Sequence, residues 1–287
     1  MPKKHSSVPQ TSQISEFCLL AELNPIEKKE ISNFCLNFIQ SKSKEQLMNA
    51  TYILGDLEHF ANDFEIAISR SDKSINAILI RRKPIYVPLG YKKDSFHLIL
   101  EQMNQNNYFV RIPPSWQSDF VKEFDFSDEM HNIAFWLKDY ESFASRDPPK
   151  ELKVRLASTK ADFEALAKYY SSSLDSLLAT AKTHPRVLGM LGEQVVSVAR
   201  TNSISKRFAI LGGMHTRMEH RDRGYGTAVA STWTQEILRR KLTPTLETDA
   251  DNHPALRIYR GLGYVEIGRH FYYEKGSKII ARLRSRG

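Results

Sequence analysis

The sequence predicts a mixed α/β (α+β) protein in two parts, with a mostly antiparallel sheet flanked by helices. Three observations carry this reading. Segments with strand and helix periodicity alternate along the whole chain. In the second half three short strands follow one another in meander style. Between the halves, SRDPPKELK, Ser145 to Lys153, interrupts two structured stretches with paired prolines and several charges. The boundary is placed there, giving an N-terminal α/β domain over 1–148 and a second domain over 149–287. With 287 residues, 41% of them hydrophobic and 10% aromatic, the chain can bury two cores of ordinary size.

In the first part KEQLMNATYILGDLEHFAND, Lys44 to Asp63, has helical periodicity. Strand candidates FEIAIS, INAILI and KPIYVPL follow, then a helix around SFHLILEQM, a strand YFVRI, a helix from Ser115 and a strand NIAFWL. The second part opens with a short strand, LKVRLAS. Thr159 to Asp162 then makes a capping-box-like start to a helix carrying Phe163, Leu166, Ala167 and Tyr170. A shorter helix covers SLDSLLATAK. RVLGMLG, QVVSVART and RFAILGGMHT read as strands, with Gly192-Glu193 and Asn202-Ser203 supplying the turns. A helix with Val229, Trp233 and Ile237 on its apolar face comes next. Leu246 to Gly268 reads as strand, short helix and strand, with Asn252 as cap, Pro254 in the first turn and Gly261 or Gly263 as the stop.

The formal charge of +8 favours an anionic partner, and nucleic acid, a membrane surface or a phosphorylated ligand all qualify. Basic residues are not interleaved with aromatics as a nucleic-acid stripe would need, which argues against that partner. The first twenty residues lack the apolar core of a secretory signal, and no apolar run is long enough to span a bilayer. A soluble, cytoplasmic protein without membrane partner is expected. Cys18 and Cys35 are spaced like neither a zinc knuckle nor a redox pair and lie in segments with helical periodicity, so buried thiols are expected, and no metal site.

The most informative segment is MHTRMEHRDRGYG, Met214 to Gly226, which links a strand to a helix. In R-x-x-G-x-G, here Arg221, Gly224 and Gly226, the glycines remove side chains that would hold a ligand off the backbone. Unpaired N–H groups at the helix start, roughly Asp222 to Gly226, can then hold a pyrophosphate with help from the helix dipole, and Arg221 and Arg223 add positive charge. On its own a glycine pair before a helix is as well explained by a turn and cap. Tyr259 falls on the same apolar stripe as Ala255, Leu256 and Leu262, so core packing fits its spacing as well as chemistry does.

Taken in order and spacing, MHTRMEHRDRGYG followed by DADNHPALRIYRGLGY closely resembles the GNAT superfamily of acyl-CoA-dependent N-acyltransferases. Its members pair an R/Q-x-x-G-x-G/A loop with a downstream N-x-x-A-x-x-x-Y-x-x-x-G-[FY] helix, and both motifs are complete here. The likeness covers about Val154 to Glu274. It implies a strand that splays at a bulge, for which Gly212 and Gly213 are suited, and whose Met214, His215 and Thr216 pair by backbone with the pantetheine arm. It implies that Arg221, Asp222, Arg223, Gly224, Tyr225 and Gly226 hold the pyrophosphate, that Asn252 lies alongside the coenzyme, and that Tyr259 protonates the departing thiolate. A phenol with pKa about 10 is an adequate donor to a thiolate whose thiol sits near about 8.5. The implied co-substrate is acetyl-CoA, transferred directly in a ternary complex to a primary amine, small molecule or peptide, without a metal.

The family resemblance leaves the general base open. Phe208 to Gly212 offers none, and the candidates are His215, Glu219 and Glu247, with His215 nearest the expected reaction centre. Two alternatives stand beside acetyl transfer. One is another acyl-CoA donor, as in the glycine N-acyltransferase-like branch that GGMHTRMEHRDRGYG also resembles. The other is a CoA-binding or regulatory protein without turnover. The first half has the element order of a diverged copy of the same fold, with VPLGYKKDSFHLIL from Val87 where a coenzyme loop would be, lacking the second glycine and the arginine. Such a copy would shape the acceptor site; an unrelated α/β cap fits the same pattern.

Overall fold

Alternation of apolar and polar residues sets the strands, and apolar stripes recurring every three to four residues set the helices. The structure, a computed structural model, describes residues 13–41, 43–82, 84–103 and 107–284. In the first half the elements are β1 (Gln13–Ile14), β2 (Cys18–Leu19), α1 (Pro25–Gln40), α2 (Leu47–His59), β3 (Glu65–Ser71), β4 (Ser74–Arg82), β5 (Ile85–Gly90), α3 (Lys92–Gln102), β6 (Tyr108–Ile112), α4 (Gln117–Glu123) and β7 (Asp128–Trp136). The second half has β8 (Lys153–Leu156), α5 (Lys160–Tyr170), α6 (Leu174–Ala179), β9 (Arg186–Leu191), β10 (Gln194–Ile204), β11 (Phe208–Thr216), α7 (Tyr225–Arg239), β12 (Thr243–Asp249), α8 (His253–Gly261), β13 (Val265–Lys275) and α9 (Ile279–Arg284).

All the strands join one sheet, in the order β1-β3-β4-β5-β6-β13-β7-β12-β11-β10-β9-β8, with β2 also on β3. Pairing is antiparallel except between β5 and β6 and between β11 and β12. Read outward from the β13–β7 pair, the two sides match: antiparallel β6 against antiparallel β12, then a parallel neighbour, then three antiparallel strands. The halves therefore share one strand order and one helix order about an approximate two-fold normal to the sheet. The relation is an exchange, because β13 of the second half lies between β6 and β7 of the first, and β7 lies between β12 and β13.

Successive strand residues point to opposite faces. Ile66, Ile68, Ile78 and Ile80 pack with α1 and α2, while Ala67, Ala77 and Leu79 pack with α3 and α4. In the second half Leu188 and Val198 pack with α5 and α6, and Val187 and Ala199 with α7 and α8. Helix α2 reaches across to Ile210, whose neighbours Ala209 and Leu211 face α7, so α2 shares the α5/α6 face. The stripe Val229, Trp233 and Ile237 is fully buried, and Trp233 Nε1 donates to Thr201 Oγ1 at 3.0 Å. Thr159 caps α5 as the capping box requires. Among the described residues no helix is long and apolar enough to cross a membrane.

Two expectations need correction. Asn202 and Ser203 are not a turn: β10 runs on to Ile204, and the register slip between Thr201 and Ser203 marks a bulge. Cys18 lies on the short strand β2, while Cys35 is buried in α1, a helix whose Asn24 cap and Pro25 were not read as a start. In keeping with the glycine and arginine that VPLGYKKDSFHLIL lacks, Tyr91 alone separates β5 from α3, which leaves the first half without a loop that could wrap a pyrophosphate.

Candidate functional site

Strands β11 and β12 pair only from Phe208 and Thr243 to Leu211 and Leu246. Beyond that they part: β12 stays on β7 and β11 stays on β10. Gly212 and Gly213 sit at the parting, where the β10–β11 register slips. A Cβ on Gly213, whose φ is 53°, would stand 2.5 Å from Arg200 Nε, and one on Gly212 would stand 2.7 Å from Asn202 Cβ. The bulge needs both glycines, and it turns β11 away from β12.

The chain then passes through a 3-10 turn at Met218–His220 to Gly224, the N-cap of α7, at φ 77°. No side chain caps this helix, and its first internal bond runs from Ala228 N–H to Gly224 C=O. The N–H groups of Tyr225, Gly226 and Thr227 are therefore donors for something outside the helix. The Tyr225 phenol points inward and donates to Glu151 Oε1 at 3.0 Å, so this residue offers backbone only.

A cleft of about 590 Å³ lies against this turn. Met214, His215 and Thr216 of β11 form one wall; Arg221, Asp222, Gly224, Tyr225 and Gly226 form the end; Asn252 at the start of α8 forms the other wall. Arg223 and Tyr259 do not border it. Arg223 is exposed beside it, and Tyr259 is buried behind Met214, its hydroxyl 3.7 Å from Met214 Sδ. Burial pushes the Tyr259 phenol pKa up, so it holds its proton. Asn252 caps α8, its Oδ1 accepting from Ala255 N–H at 3.2 Å.

Two cleft residues have no signal in the motif, Arg146 and Arg257. Arg146 belongs to the seam between the halves, which packs on α7 through the Arg146 N–H to Ser231 Oγ bond. With Arg221 they set three guanidinium groups against the single carboxylate of Asp222, a field that draws an anion.

The three candidate bases lie apart. His215 pairs with Val198, so its ring points to the α5/α6 face, away from Tyr259, and its Nδ1 is 2.6 Å from the Tyr169 hydroxyl. Burial, then Arg221 and Arg217, lower its pKa, and the ring is held neutral. Glu219 is largely exposed in the loop. Glu247, expected to face solvent, is buried to 11% exposure against Arg111, its Oε2 3.0 Å from Arg111 Nη2.

The family model for FR47-like protein, a GNAT-related family, matches residues 187–273. That span runs from β9 through the splay, the cleft and α8 into β13. The C-terminal half is a GNAT-superfamily domain. Among solved structures, a tandem GNAT protein from the clavulanic acid biosynthesis pathway is 12% identical, over 93% of this chain and 99% of that one, with a TM-score of 0.64. A Drosophila protein is 16% identical over 88% and 97%, with a TM-score of 0.65. A GCN5-related N-acetyltransferase from Kribbella flavida is 13% identical over 84% and 99%, with a TM-score of 0.58. At these identities the likeness is one of fold, and it spans both halves. No curated protein matches the sequence. The GNAT fold is one that serves acyl-CoA N-acyltransferases, and in this chain the GNAT domain's sheet is completed by β7 from the other half.

Proposed function

We propose that this chain is an acyl-CoA N-acyltransferase that moves an acetyl group from acetyl-CoA to a primary amine by direct transfer in a ternary complex. The observation that carries the reading is the junction of two features in one cleft: the parting of β11 from β12 after Leu211, and the uncapped start of α7 at Gly224. The first leaves unpaired backbone along β11 for an extended amide-bearing arm. The second offers N–H donors and guanidinium groups for a diphosphate.

In this reading Met214, His215 and Thr216 pair with the pantetheine arm by backbone. Arg221, Asp222, Gly224, Tyr225 and Gly226 surround the diphosphate, with Arg223 adding charge from outside and Asn252 closing the opposite wall. A β11 N–H near the bulge stabilises the oxyanion that forms as the amine attacks the thioester carbonyl. Tyr259, protonated in its buried position, supplies the proton that the leaving thiolate takes. His215, neutral and tied to Tyr169, can accept a proton only from an amine that reaches the α5 side of β11. The chain works as a cytoplasmic enzyme and needs no metal. The first half shapes the acceptor site.

Thermal-shift titration with acetyl-CoA, longer acyl-CoAs and free CoA tests the binding half of this reading. Stabilisation by all three, followed by acetyl-dependent thiol release with an amine panel, is the expected result. No stabilisation by any of them would remove the proposal, and faster turnover with a longer acyl-CoA would reassign the donor.

A further inference from the structure

Among the described residues, thirteen buried side-chain N and O atoms lack a hydrogen-bond partner, and five of them border one cavity. They are Arg111 Nε and Nη2, Asn132 Oδ1, Ser203 Oγ and Glu247 Oε2. Buried polar groups are nearly always paired, so such a concentration marks a place built to receive a polar molecule. The cavity measures about 480 Å³ and lies on the α2 face of the sheet. Its floor comes from the four central strands of the sheet, with Arg111 on β6, Tyr272 on β13, Asn132 on β7 and Glu247 on β12, and Tyr52 of α2 hangs over it. Leu211, Gly212 and Gly213 form its edge, so it meets the coenzyme cleft at the parting of β11 and β12, the two cavities lying on opposite faces.

The unspent groups are of two kinds. Arg111 is 2% exposed; its Nη1 donates to Asn49 Oδ1 at 2.6 Å and its Nη2 is ion-paired with Glu247 Oε2 at 3.0 Å, which leaves Nε as the donor without a partner. Glu247 Oε1 accepts from Tyr272 and from Tyr52, the latter at 3.3 Å, while Oε2 remains an acceptor. Asn132 Oδ1 is a second acceptor close by. A ligand that uses both kinds carries an anionic group and an ammonium group on one small frame. The lining also carries Phe60, Phe64 and Phe109, which suit a hydrocarbon side group, together with Asp56 of α2.

We infer that this cavity holds the acceptor, and that the acceptor is an amino-acid zwitterion with an apolar side chain. Arg111 takes the carboxylate and Glu247 takes the ammonium. The inference rests on the reading of the chain as an acyl-CoA N-acyltransferase. Glu247 accepts one proton from the ammonium, and the freed nitrogen pair attacks the thioester carbonyl carbon presented through the gap. The C–N bond forms, the C–S bond breaks, and the bonding pair leaves with sulfur, which takes the Tyr259 proton. Of the two protons that nitrogen loses, one ends on Glu247 and passes to solvent, and the other restores Tyr259. The products are the N-acetylamino acid, the free thiol of CoA and one proton.

Steady-state thiol release by the full chain with acetyl-CoA tests this. The acceptors are leucine and phenylalanine, with their decarboxylated counterparts isoamylamine and phenethylamine. The amino acids should be favoured in kcat/KM by roughly 100-fold or more, as expected where a buried donor is left unpaired by the wrong substrate. Arg111→Lys should lower that preference through KM, and Glu247→Gln should lower kcat about 100-fold while the Kd for acetyl-CoA stays within about twofold, which also reports that each variant is folded. Glu247→Asp should recover part of the lost kcat. Equal or better turnover of the decarboxylated amines, or full kcat in Glu247→Gln, would overturn the inference and leave acyl transfer standing. Failure of acetyl-CoA to bind the unaltered chain would instead count against the acyltransferase reading itself.

Discussion

Leu211 and Leu246 are the last pair that joins β11 to β12, and the next residue on each strand, Gly212 and Glu247, lines the cavity that opens between them. One register position therefore separates a closed parallel ladder from two strands that no longer pair. The cleft at the start of α7 lies to one side of that parting and the Arg111–Glu247 pair to the other. Function in this fold depends on what reaches the gap from each side.

The Tyr259 hydroxyl touches only the soft sulfur of Met214, at 3.7 Å, while its ring is packed among Phe135 and Tyr264. Tyr259→Phe keeps the ring and loses only the proton. Turnover should fall roughly 100-fold with the Kd for CoA unchanged. An unchanged kcat would transfer the proton-donor role to another group.

Gly224 opens α7 from the left-handed region, and nothing crowds it more closely than Pro149 Cγ, 3.7 Å from where a Cβ would sit. Gly224→Ala is thus a test of backbone conformation and not of space. It should cost about 1–2 kcal/mol of stability in urea unfolding and weaken CoA binding, because the three N–H groups of the first turn would swing from their present directions. Full affinity in the variant would show that the diphosphate is held elsewhere.

Asn252 has a structural duty as the cap of α8 besides its place in the cleft. Asn252→Ala should destabilise the chain by about 1 kcal/mol, whereas Asn252→Asp should keep the cap and, by adding a negative charge to the cleft wall, raise the Kd for CoA. The two variants separate capping from ligand contact in a paired melting and titration experiment.

His184 is buried against His59 and Phe60 at the end of α6, with Arg186 of β9 and Arg240 after α7 nearby. Desolvation first, then His59 and the two arginines, bring its pKa down from 6.5 to about 4. Above pH 6.5 the ring is neutral whether the chain is folded or not, and its contribution is complete. As the pH falls from 6.5 toward 4 the unfolded chain takes up a proton that the folded chain refuses, so stability drops through that window and levels below it. Melting curves across this range should show the loss in the unaltered protein and a shallower slope in His184→Gln.

Most of the strands and the turn that bounds the cleft were legible because they are written locally. YFVRI, the capping box at Thr159 and the stripe Val229, Trp233 and Ile237 each declare themselves within a dozen residues, and Gly224 of the loop sits where a left-handed backbone is required. Arg146 was hidden because the prolines around it read as a linker, although that segment folds over the start of α7. Glu247 was hidden for a different reason. Alternation along β12 places it on a face without saying what covers that face, and its cover comes from Arg111 and Tyr52, distant in sequence. The halves' shared strand order was foreshadowed by their matching element order. The exchange of β7 and β13 was not, since either strand has the same composition whichever neighbours it takes.

The sequence β6-β13-β7-β12 through the middle of the sheet also limits how such a gene can be edited. A stop codon between Trp136 and Val265 would strip β6 and β7 of a common neighbour and leave two raw edges facing each other, an invitation to aggregate. Neither copy could be lifted out as a cassette and recombined into another protein, because each would leave one of its strands behind. In this chain the two halves are folded and lost as one.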